Sequence, residues 1–299
     1  MRKKKSVSKN RWGYLFIAPY FIIFSIFGIF PILYTFYLSF TKWKGGVVAP
    51  EFIGLENYQR LLTDTFFFKS IGNTIYMWLL CVLPQMVCAL ILAVVLSQSK
   101  IKGKGFFRAI FYLPNLLTMS SVAVLFRFIM DWQAGALNKI LLAINAIDSP
   151  INWFQSTSAT PMTVSFINWW MWFGYSMIIF MSGIKAISDD VYEAAIVDGA
   201  NKKQLLFKIT LPLLRPTVIY SIITSLIGGM IMFDIPFVLT NGDGSPQGSI
   251  LTMVMYLYNN AFRNYNYGYA ATIGTGLFVI ILIMVIIAYK FINRKPTYE

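Results

Sequence analysis

Six long stretches of mostly apolar residues recur along the chain, and they constrain its fold more than any other feature. A helix needs about 20 consecutive apolar residues to cross the hydrocarbon core of a bilayer, and each stretch reaches that length. We therefore predict an all-α, polytopic membrane protein with six transmembrane helices, at approximately residues 12–40, 74–96, 106–130, 162–184, 217–239 and 269–292.

The composition agrees with this assignment. Hydrophobic residues make up 57% of the 299 residues and charged residues only 12%, whereas a soluble domain has about a quarter of its residues charged. So few charges cannot cover a water-facing surface of this size. The first stretch follows a basic cluster, as a signal peptide does, but it is longer than a signal core and no small-residue cleavage site follows it. We interpret it as an uncleaved span.

The positions of the basic residues predict the orientation. The net charge is +13, and most Lys and Arg residues lie before the first stretch, between the second and third, between the fourth and fifth, and after the last. Such loops face the cytoplasm, so the charge reflects topology rather than nucleic-acid binding, and both termini are expected in the cytoplasm. The predicted division is a cytoplasmic basic tail at 1–11, a first transmembrane helix at 12–40, an extracytoplasmic loop with a short helix at 41–69, a transmembrane domain at 70–292 and a cytoplasmic tail at 293–299.

The side chains that most enzymes depend on are missing. The sequence has no histidine, which removes the commonest general base and metal ligand, and no apolar stretch contains paired carboxylates. Gly103-Lys104-Gly105 lacks the earlier glycine of a phosphate-binding loop. Cys81 and Cys88 lie in one apolar stretch and are expected to be small core residues. We predict no catalytic residues, no metal site, no bound cofactor and no ATP hydrolysis by this chain.

The segment between the fourth and fifth stretches, residues 188–212, carries the most information. Ser188 is a good N-cap, and the acidic pair after it suits a helix N-terminus. Gly199 can adopt the left-handed conformation that ends a helix, and Pro212 is expected to stop a second short helix. An amphipathic linker lying on the membrane surface is the alternative. The good capping and the surplus of apolar residues favour a partner surface instead.

This segment resembles the signature loop of binding-protein-dependent ABC importer permeases. The matching residues are Glu193-Ala194-Ala195, then Gly199, then Ile209-Thr210-Leu211-Pro212, in the family's spacing. The rest of the chain is similar to the maltose and multiple-sugar type of that family, without a large extracytoplasmic insert. Further matching motifs are Tyr14-Leu15-Phe16-Ile17-Ala18-Pro19, Phe106-Phe107-Arg108-Ala109, Leu239-Thr240-Asn241-Gly242 and Tyr267-Gly268-Tyr269-Ala270.

The resemblance implies a type I ABC importer permease fold in a bacterial plasma membrane. It implies a heterodimer with a second permease subunit, two ATPase subunits that bind ATP and Mg, and an extracytoplasmic sugar-binding protein that delivers a sugar, in the form of a di- or oligosaccharide. The signature loop would then be the coupling loop that docks on an ATPase. The residues expected to contact the ATPase are Glu193, Ala194, Ala195, Asp198, Gly199, Phe207, Ile209, Leu211 and Pro212.

A pathway for a neutral sugar needs aromatic faces and a few hydrogen-bonding groups at mid-depth. In the fourth stretch the helical spacing puts Asn168, Trp172 and Tyr175 on one face. In the fifth stretch it puts Ser225, Gly229 and Phe233 on one face. Helix packing or an interfacial belt is the alternative role for each, and Asp234 could instead form an ion pair or outer gate contact, as could Arg127. The candidate pathway residues are Asn168, Trp172, Tyr175, Ser225, Gly229, Phe233 and Asp234.

Three other functions compete with sugar import. An ion-coupled secondary transporter would need intramembrane carboxylates or histidines, and only Asp234 qualifies clearly. A membrane enzyme lacks a catalytic constellation. A permease of the same family that carries glycerol phosphate or another polyol is the third. An anionic cargo would favour cationic residues in the spans, which carry almost none.

Overall fold

The fold was analysed in a computed structural model that describes residues 10–98 and 102–292. The predicted tails, 1–11 and 293–299, lie outside this part of the chain except for positions 10 and 11. Most of the described residues are helical. In chain order the elements are α1 Asn10–Phe24, a π-helical turn Ser25–Ile29, α2 Phe30–Ser39, β1 Thr41–Lys42, β2 Glu51–Phe52, α3 Glu56–Thr63, α4 Thr65–Gln98, α5 Lys104–Tyr112, a 3-10 turn Leu113–Leu116, α6 Met119–Ile129, α7 Ala136–Ala143, α8 Ala159–Lys185, α9 Asp189–Val197, α10 Lys202–Gln204, a π-helical turn Leu205–Thr210, α11 Leu211–Met230, α12 Asp234–Thr240, α13 Met253–Tyr258, a π-helical turn Asn259–Arg263 and α14 Tyr267–Ile292.

The helices long and apolar enough to cross a membrane match the predicted spans. Five of them are continuous in the described residues: Gly13–Ser39, Thr65–Ser97, Ala159–Lys185, Lys202–Thr240 and Tyr267–Lys290. A sixth crossing is available if the bent pair Lys104–Leu116 and Met119–Ile129 counts as one span. The prediction of an all-α, six-helix membrane protein is confirmed.

The third predicted span is not a single straight helix. Its two arms meet at 96°. Leu117 has extended backbone, and the Thr118 hydroxyl caps the second arm by accepting from the Ser121 N–H at 3.3 Å. Pro114 lies in the 3-10 turn just before the break. The bend was not predicted, because hydropathy averages both arms and carries no information on their direction.

The chain separates into two compact units. The first comprises residues up to Asp64 together with Leu257–Phe278, and the second comprises Thr65–Tyr256 and the chain from Val279 onward. This division differs from the predicted one, which treats 70–292 as one transmembrane domain. The helix that follows the short α3 also begins earlier than predicted, at Thr65, inside the segment 41–69 assigned to a loop.

Polar contacts hold the first unit together after its long apolar helix. β1 pairs antiparallel with β2. The buried Asn57 amide donates to the carbonyl oxygens of Ser39 and Thr41, at 3.1 and 2.9 Å. The Tyr269 hydroxyl donates to Asp64, and the Arg60 guanidinium lies 3.9 Å from the centre of the Tyr269 ring. Residues more than 200 positions apart are thereby joined, which no local sequence pattern indicates.

The second unit is organised around α4 and α8, which pack along their lengths. Small residues allow close approach: a Cβ on Gly174 of α8 would overlap the carbonyl oxygen of Phe111. Both cysteines are free, and Cys81 is buried as expected. Buried apolar clusters fill the described part of the unit, among them Met77, Val122, Ala123, Val164, Ile167, Met171, Met232, Ile235, Leu239 and Ile250; Ala89, Ala93, Leu96, Met177, Phe180, Met181, Ile184 and Leu214; and Trp78, Val82, Leu226 and Met230.

Candidate functional site

The 188–212 segment begins with the predicted capped helix. The Ser188 hydroxyl accepts from the Asp190 N–H at 3.3 Å at the start of α9. Gly199 has a φ of +84°. Its N–H donates to the Ile196 carbonyl, and the Ala200 N–H donates to the Ala195 carbonyl, at 3.0 and 2.9 Å. This pair of bonds is a Schellman motif, which needs a left-handed residue at the position of Gly199.

The second half of the segment corrects one prediction: Pro212 does not stop a helix. Asn201 and Gln204 form a reciprocal capping box, and the helix then runs from Lys202 through a π-helical turn into the fifth span. Pro212 lies at the start of α11, where the helix type changes from π to α. Pro212 has no N–H to donate to the preceding turn, and that turn is the π-helical Leu205–Thr210, where the hydrogen bonding already departs from the α-helical pattern.

A contact between the two halves was not predicted. Thr210 is fully buried, and its hydroxyl donates to the Leu205 carbonyl at 3.1 Å. The Tyr192 hydroxyl oxygen lies 3.1 Å from the Thr210 hydroxyl oxygen. A threonine hydroxyl has one proton, so Tyr192 is the donor. This bond ties α9 to the helix that continues into the fifth span.

Several apolar side chains of the segment are exposed. Val197 of α9 is 86% exposed and Phe207 is 64% exposed. Of the residues proposed to contact an ATPase, Ala195, Ile209 and Leu211 are half-buried; Glu193, Ala194, Asp198, Gly199, Phe207 and Pro212 are exposed. Exposed apolar side chains that lie together on one short segment are typical of an interaction surface.

A cavity of about 400 Å³ lies in the second unit, between α4, α8 and α11 and the residues that follow α11. All seven residues proposed for the substrate pathway line it: Asn168, Trp172, Tyr175, Ser225, Gly229, Phe233 and Asp234. We call it the first cavity. Its lining also includes residues that were not proposed, among them Trp78, Gln85, Ser176, Ser221, Thr224 and Met232.

Hydrogen bonds between helices fix part of the lining. The Gln85 amide donates to the Ser176 hydroxyl at 2.8 Å, joining α4 to α8. The Trp78 indole N–H donates to Ser225 at 3.3 Å, joining α4 to α11. Gln85 could have been found from the sequence, since it is a lone amide in the middle of an apolar span. Trp78 could not, because one tryptophan among many aromatic residues gives no specific signal.

The shared helical face proposed for Ser225, Gly229 and Phe233 is only partly right. α11 ends at Met230, and Phe233 has a non-helical φ of −140°. It reaches the first cavity through the break before α12 and not through helical periodicity. Asp234 lies in the first turn of α12 and lines the first cavity. Arg127 lines a different cavity.

The bundle of long apolar helices, the exposed capped segment and the cavity between helices define a multi-pass membrane protein of the transporter-permease class. The chain belongs to the family of binding-protein-dependent transport system inner membrane components, whose model matches residues 85–297. Members of this family are permease subunits and not enzymes.

Relatives match over nearly the whole chain. The probable ABC transporter permease protein YesP of Bacillus subtilis is 34% identical, over 100% of this chain and 96% of its own length. The lactose transport system permease protein LacF of Rhizobium radiobacter is 32% identical, over 93% and 91%. The multiple sugar-binding transport system permease protein MsmF of Streptococcus mutans is 32% identical, over 96% and 97%.

Solved structures give the same fold. A chain of the bacterial alginate ABC transporter, in complex with an alginate pentasaccharide-bound periplasmic protein, superposes with a TM-score of 0.79 at 22% identity, over 96% of both chains. A second structure of a bacterial alginate ABC transporter gives 0.77 at 22% identity, over 96% of this chain and 97% of that one. The predicted type I ABC importer permease fold is confirmed.

The contact between Tyr192 and Thr210 can be tested by a substitution that removes only a hydroxyl. We expect Tyr192→Phe to speed amide hydrogen exchange in residues 189–197 about fivefold, because one neutral hydrogen bond contributes about 1 kcal/mol. The measurement is exchange mass spectrometry of the purified protein. Tyr76→Phe, at an exposed position of α4, is the control and should leave this region unchanged. Unaltered exchange in Tyr192→Phe would show that the bond does not hold α9.

Proposed function

We propose that this chain is one of two permease subunits of an ATP-driven importer, and that it passes a sugar, delivered by an external binding protein, across a bacterial plasma membrane. The observation that carries the proposal is the 188–212 segment: a capped helix with exposed apolar side chains, in the family's signature spacing, joined to the helix of the fifth span. Curated relatives that transport lactose and multiple sugars support the choice of cargo.

The segment acts as the coupling loop. Glu193 offers a carboxylate to a basic partner, Ala194 presents a flat surface, and Phe207 supplies an apolar anchor. Two ATPase subunits bind ATP and Mg, so this chain needs no cofactor of its own. Because α9 is bonded to the helix that continues into α11, movement of an ATPase would turn the fifth span as a rigid body.

The first cavity is the sugar pathway. Its volume of about 400 Å³ falls within the range of small-molecule sites, about 300–1,000 Å³. The Trp172 and Tyr175 rings meet edge to face, 5.8 Å apart, and present aromatic surface to the C–H faces of a sugar. Neighbouring amides and hydroxyls serve its hydroxyl groups.

The competing cargoes and mechanisms have less support. In the described part of the chain no Lys or Arg lines the first cavity, and Asp234 would repel an anion such as glycerol phosphate. An ion-coupled secondary transporter would not need the coupling signature, and the family is one of binding-protein-dependent systems.

The orientation follows from the basic loops: the 188–212 segment and both termini face the cytoplasm, where the ATPases bind. An impermeant thiol reagent tests this in intact spheroplasts. Lys42→Cys should react from outside and Lys5→Cys only after lysis. Reaction of Lys5→Cys in intact spheroplasts would show that the topology is the reverse of the proposed one.

Coupling is tested at Gly199, whose φ of +84° suits glycine or asparagine and strains a β-branched residue by about 1–2 kcal/mol. We expect Gly199→Val to lower the amount of ATPase that copurifies with the tagged permease about tenfold. Gly199→Asn should retain most of it. Equal recovery of the ATPase from both variants would argue against docking through this turn.

The cargo pathway is tested at Gly229, where a Cβ would overlap the Trp78 indole. We expect Gly229→Ala to push this ring into the first cavity and lower sugar uptake at least about tenfold in proteoliposomes that contain the full complex and binding protein. Lactose, trehalose, maltose and arabino-oligosaccharides form the substrate panel. Gly72→Ala, in open space on α4, is the control.

Basal ATPase activity and copurification of the complex show whether Gly229→Ala still assembles. An assembled variant with full uptake would remove the first cavity from the pathway. A wild-type complex that moves no sugar of the panel would count against sugar as the cargo.

A further inference from the structure

A second cavity, of about 420 Å³, lies in the same unit at the C-terminal ends of α6 and α12. Its lining is mainly polar, unlike that of the first cavity. The groups that matter for binding are Arg127, Asp131, Trp132, Asn152, Gln155 and Ser245. The proposed function does not account for it.

Buried Asn138 of α7 holds one wall of the second cavity. This side chain is 3% exposed. Its amide donates to the carbonyl oxygens of Trp132 and Ile151, at 3.2 and 2.9 Å, and its oxygen accepts from the Ile151 N–H and the Trp153 indole, at 3.3 and 3.0 Å. These bonds use the full capacity of an asparagine side chain. The two loops that carry the binding groups are therefore fixed before any ligand arrives.

The opposite wall is the tight turn after α12. The Thr240 hydroxyl donates to the Pro236 carbonyl at 2.7 Å and accepts from the Gly244 N–H at 3.2 Å. The Ser245 N–H donates to the Asp243 carboxylate at 2.9 Å. This wall is also closed by internal hydrogen bonds, so the second cavity has a defined shape.

Two helices lead from the first cavity to the second. On α12, Asp234 lines the first and Thr240 the second, which corresponds to about 9 Å along a helix axis. On α6, Met119 lines the first and Arg127 the second, about 12 Å apart by the same rise. A single oligosaccharide chain can span such a separation.

The side chains of the second cavity suit an uncharged, polyhydroxylated ring. Trp132 is 46% exposed and offers an aromatic face. The Asn152 amide donates to the Gln155 side-chain oxygen at 3.2 Å, and the remaining N–H and C=O capacity of the two amides can serve neighbouring sugar hydroxyls. Arg127 and Asp131 have opposite charges, so the pair gives no net preference for an anion or a cation.

We propose that the second cavity is an outer sugar subsite, which binds one ring of an oligosaccharide while another ring lies in the first cavity. The inference rests on the proposed function, because it requires a sugar cargo. It adds a consequence that sugar import alone does not have: the second cavity contributes more to the transport of longer oligosaccharides than to that of shorter ones.

Thiol protection tests binding at this place directly. The full transporter carrying Gln155→Cys is placed in nanodiscs without binding protein and treated with an impermeant maleimide. The probes are trehalose, lactose, maltotriose and arabinotriose. We expect a transported sugar to slow the labelling of Gln155→Cys about fivefold or more, in line with a site that is mostly occupied. Gln133→Cys, on the exposed loop outside the second cavity, should be labelled at an unchanged rate.

Transport gives a second readout. We expect Gln155→Ala to lower the maximum uptake rate about fivefold more for a trisaccharide than for the disaccharide of the same series, since one hydrogen bond to the outer ring is lost. Gln133→Ala should transport both sugars as the wild type does.

Three results would overturn the outer subsite. They are labelling that no transported sugar slows, equal slowing at position 133, and protection by sugar-free binding protein added to a parallel sample, which would make this surface a protein-docking site. Failure of the proposed function is distinguishable, because the wild-type complex would then move none of the panel sugars.

Discussion

A peptide backbone inside hydrocarbon has no water to bond with, and every other feature of this protein depends on that constraint. Unsatisfied N–H and C=O groups cost several kcal/mol each in such an environment, so the spans are helical throughout their apolar parts. Irregular backbone is tolerated there only where it faces protein or a water-filled space. The two breaks within the described spans, at Leu117 and before α12, occur at such places. Met119, just after the bend, and Phe233, between α11 and α12, line the first cavity.

The break before α12 also brings a polar group to the first cavity. A straight fifth span would put Phe233 and Asp234 on faces set by helical periodicity alone. The interruption lets α12 begin afresh, with Asp234 in its first turn, where the helix dipole favours a negative charge. Discontinuous helices serve transporters in this way elsewhere, since their free ends provide hydrogen-bonding groups within the membrane. In this protein, α6 and α12 each contribute residues to both cavities.

In the 188–212 segment, by contrast, capping and hydrogen bonds connect α9 to α11 without a flexible loop. A flexible loop there would absorb any displacement applied to it. Instead the Schellman turn at Gly199, the capping box at Asn201 and the bond from Tyr192 to Thr210 leave few freely rotating positions between α9 and α11. The π-helical turn lets Pro212 enter the helix without interrupting it. We propose that a force on the exposed face of α9 is carried in this way into a span that lines the first cavity.

The sequence by itself determined the fold class, the number of spans, the capped α9 and the family signature, because hydropathy and capping are local properties that tertiary packing rarely reverses. It also indicated the seven residues of the first cavity, although the reason offered for Phe233 was wrong. Only the tertiary structure decided the bend at Leu117, the continuity of the helix through Pro212, the pairing of Gln85 with Ser176, and the second cavity built on Asn138. These features depend on where distant segments meet and on the direction in which each helix leaves a break. The periodicity of a single stretch predicts neither.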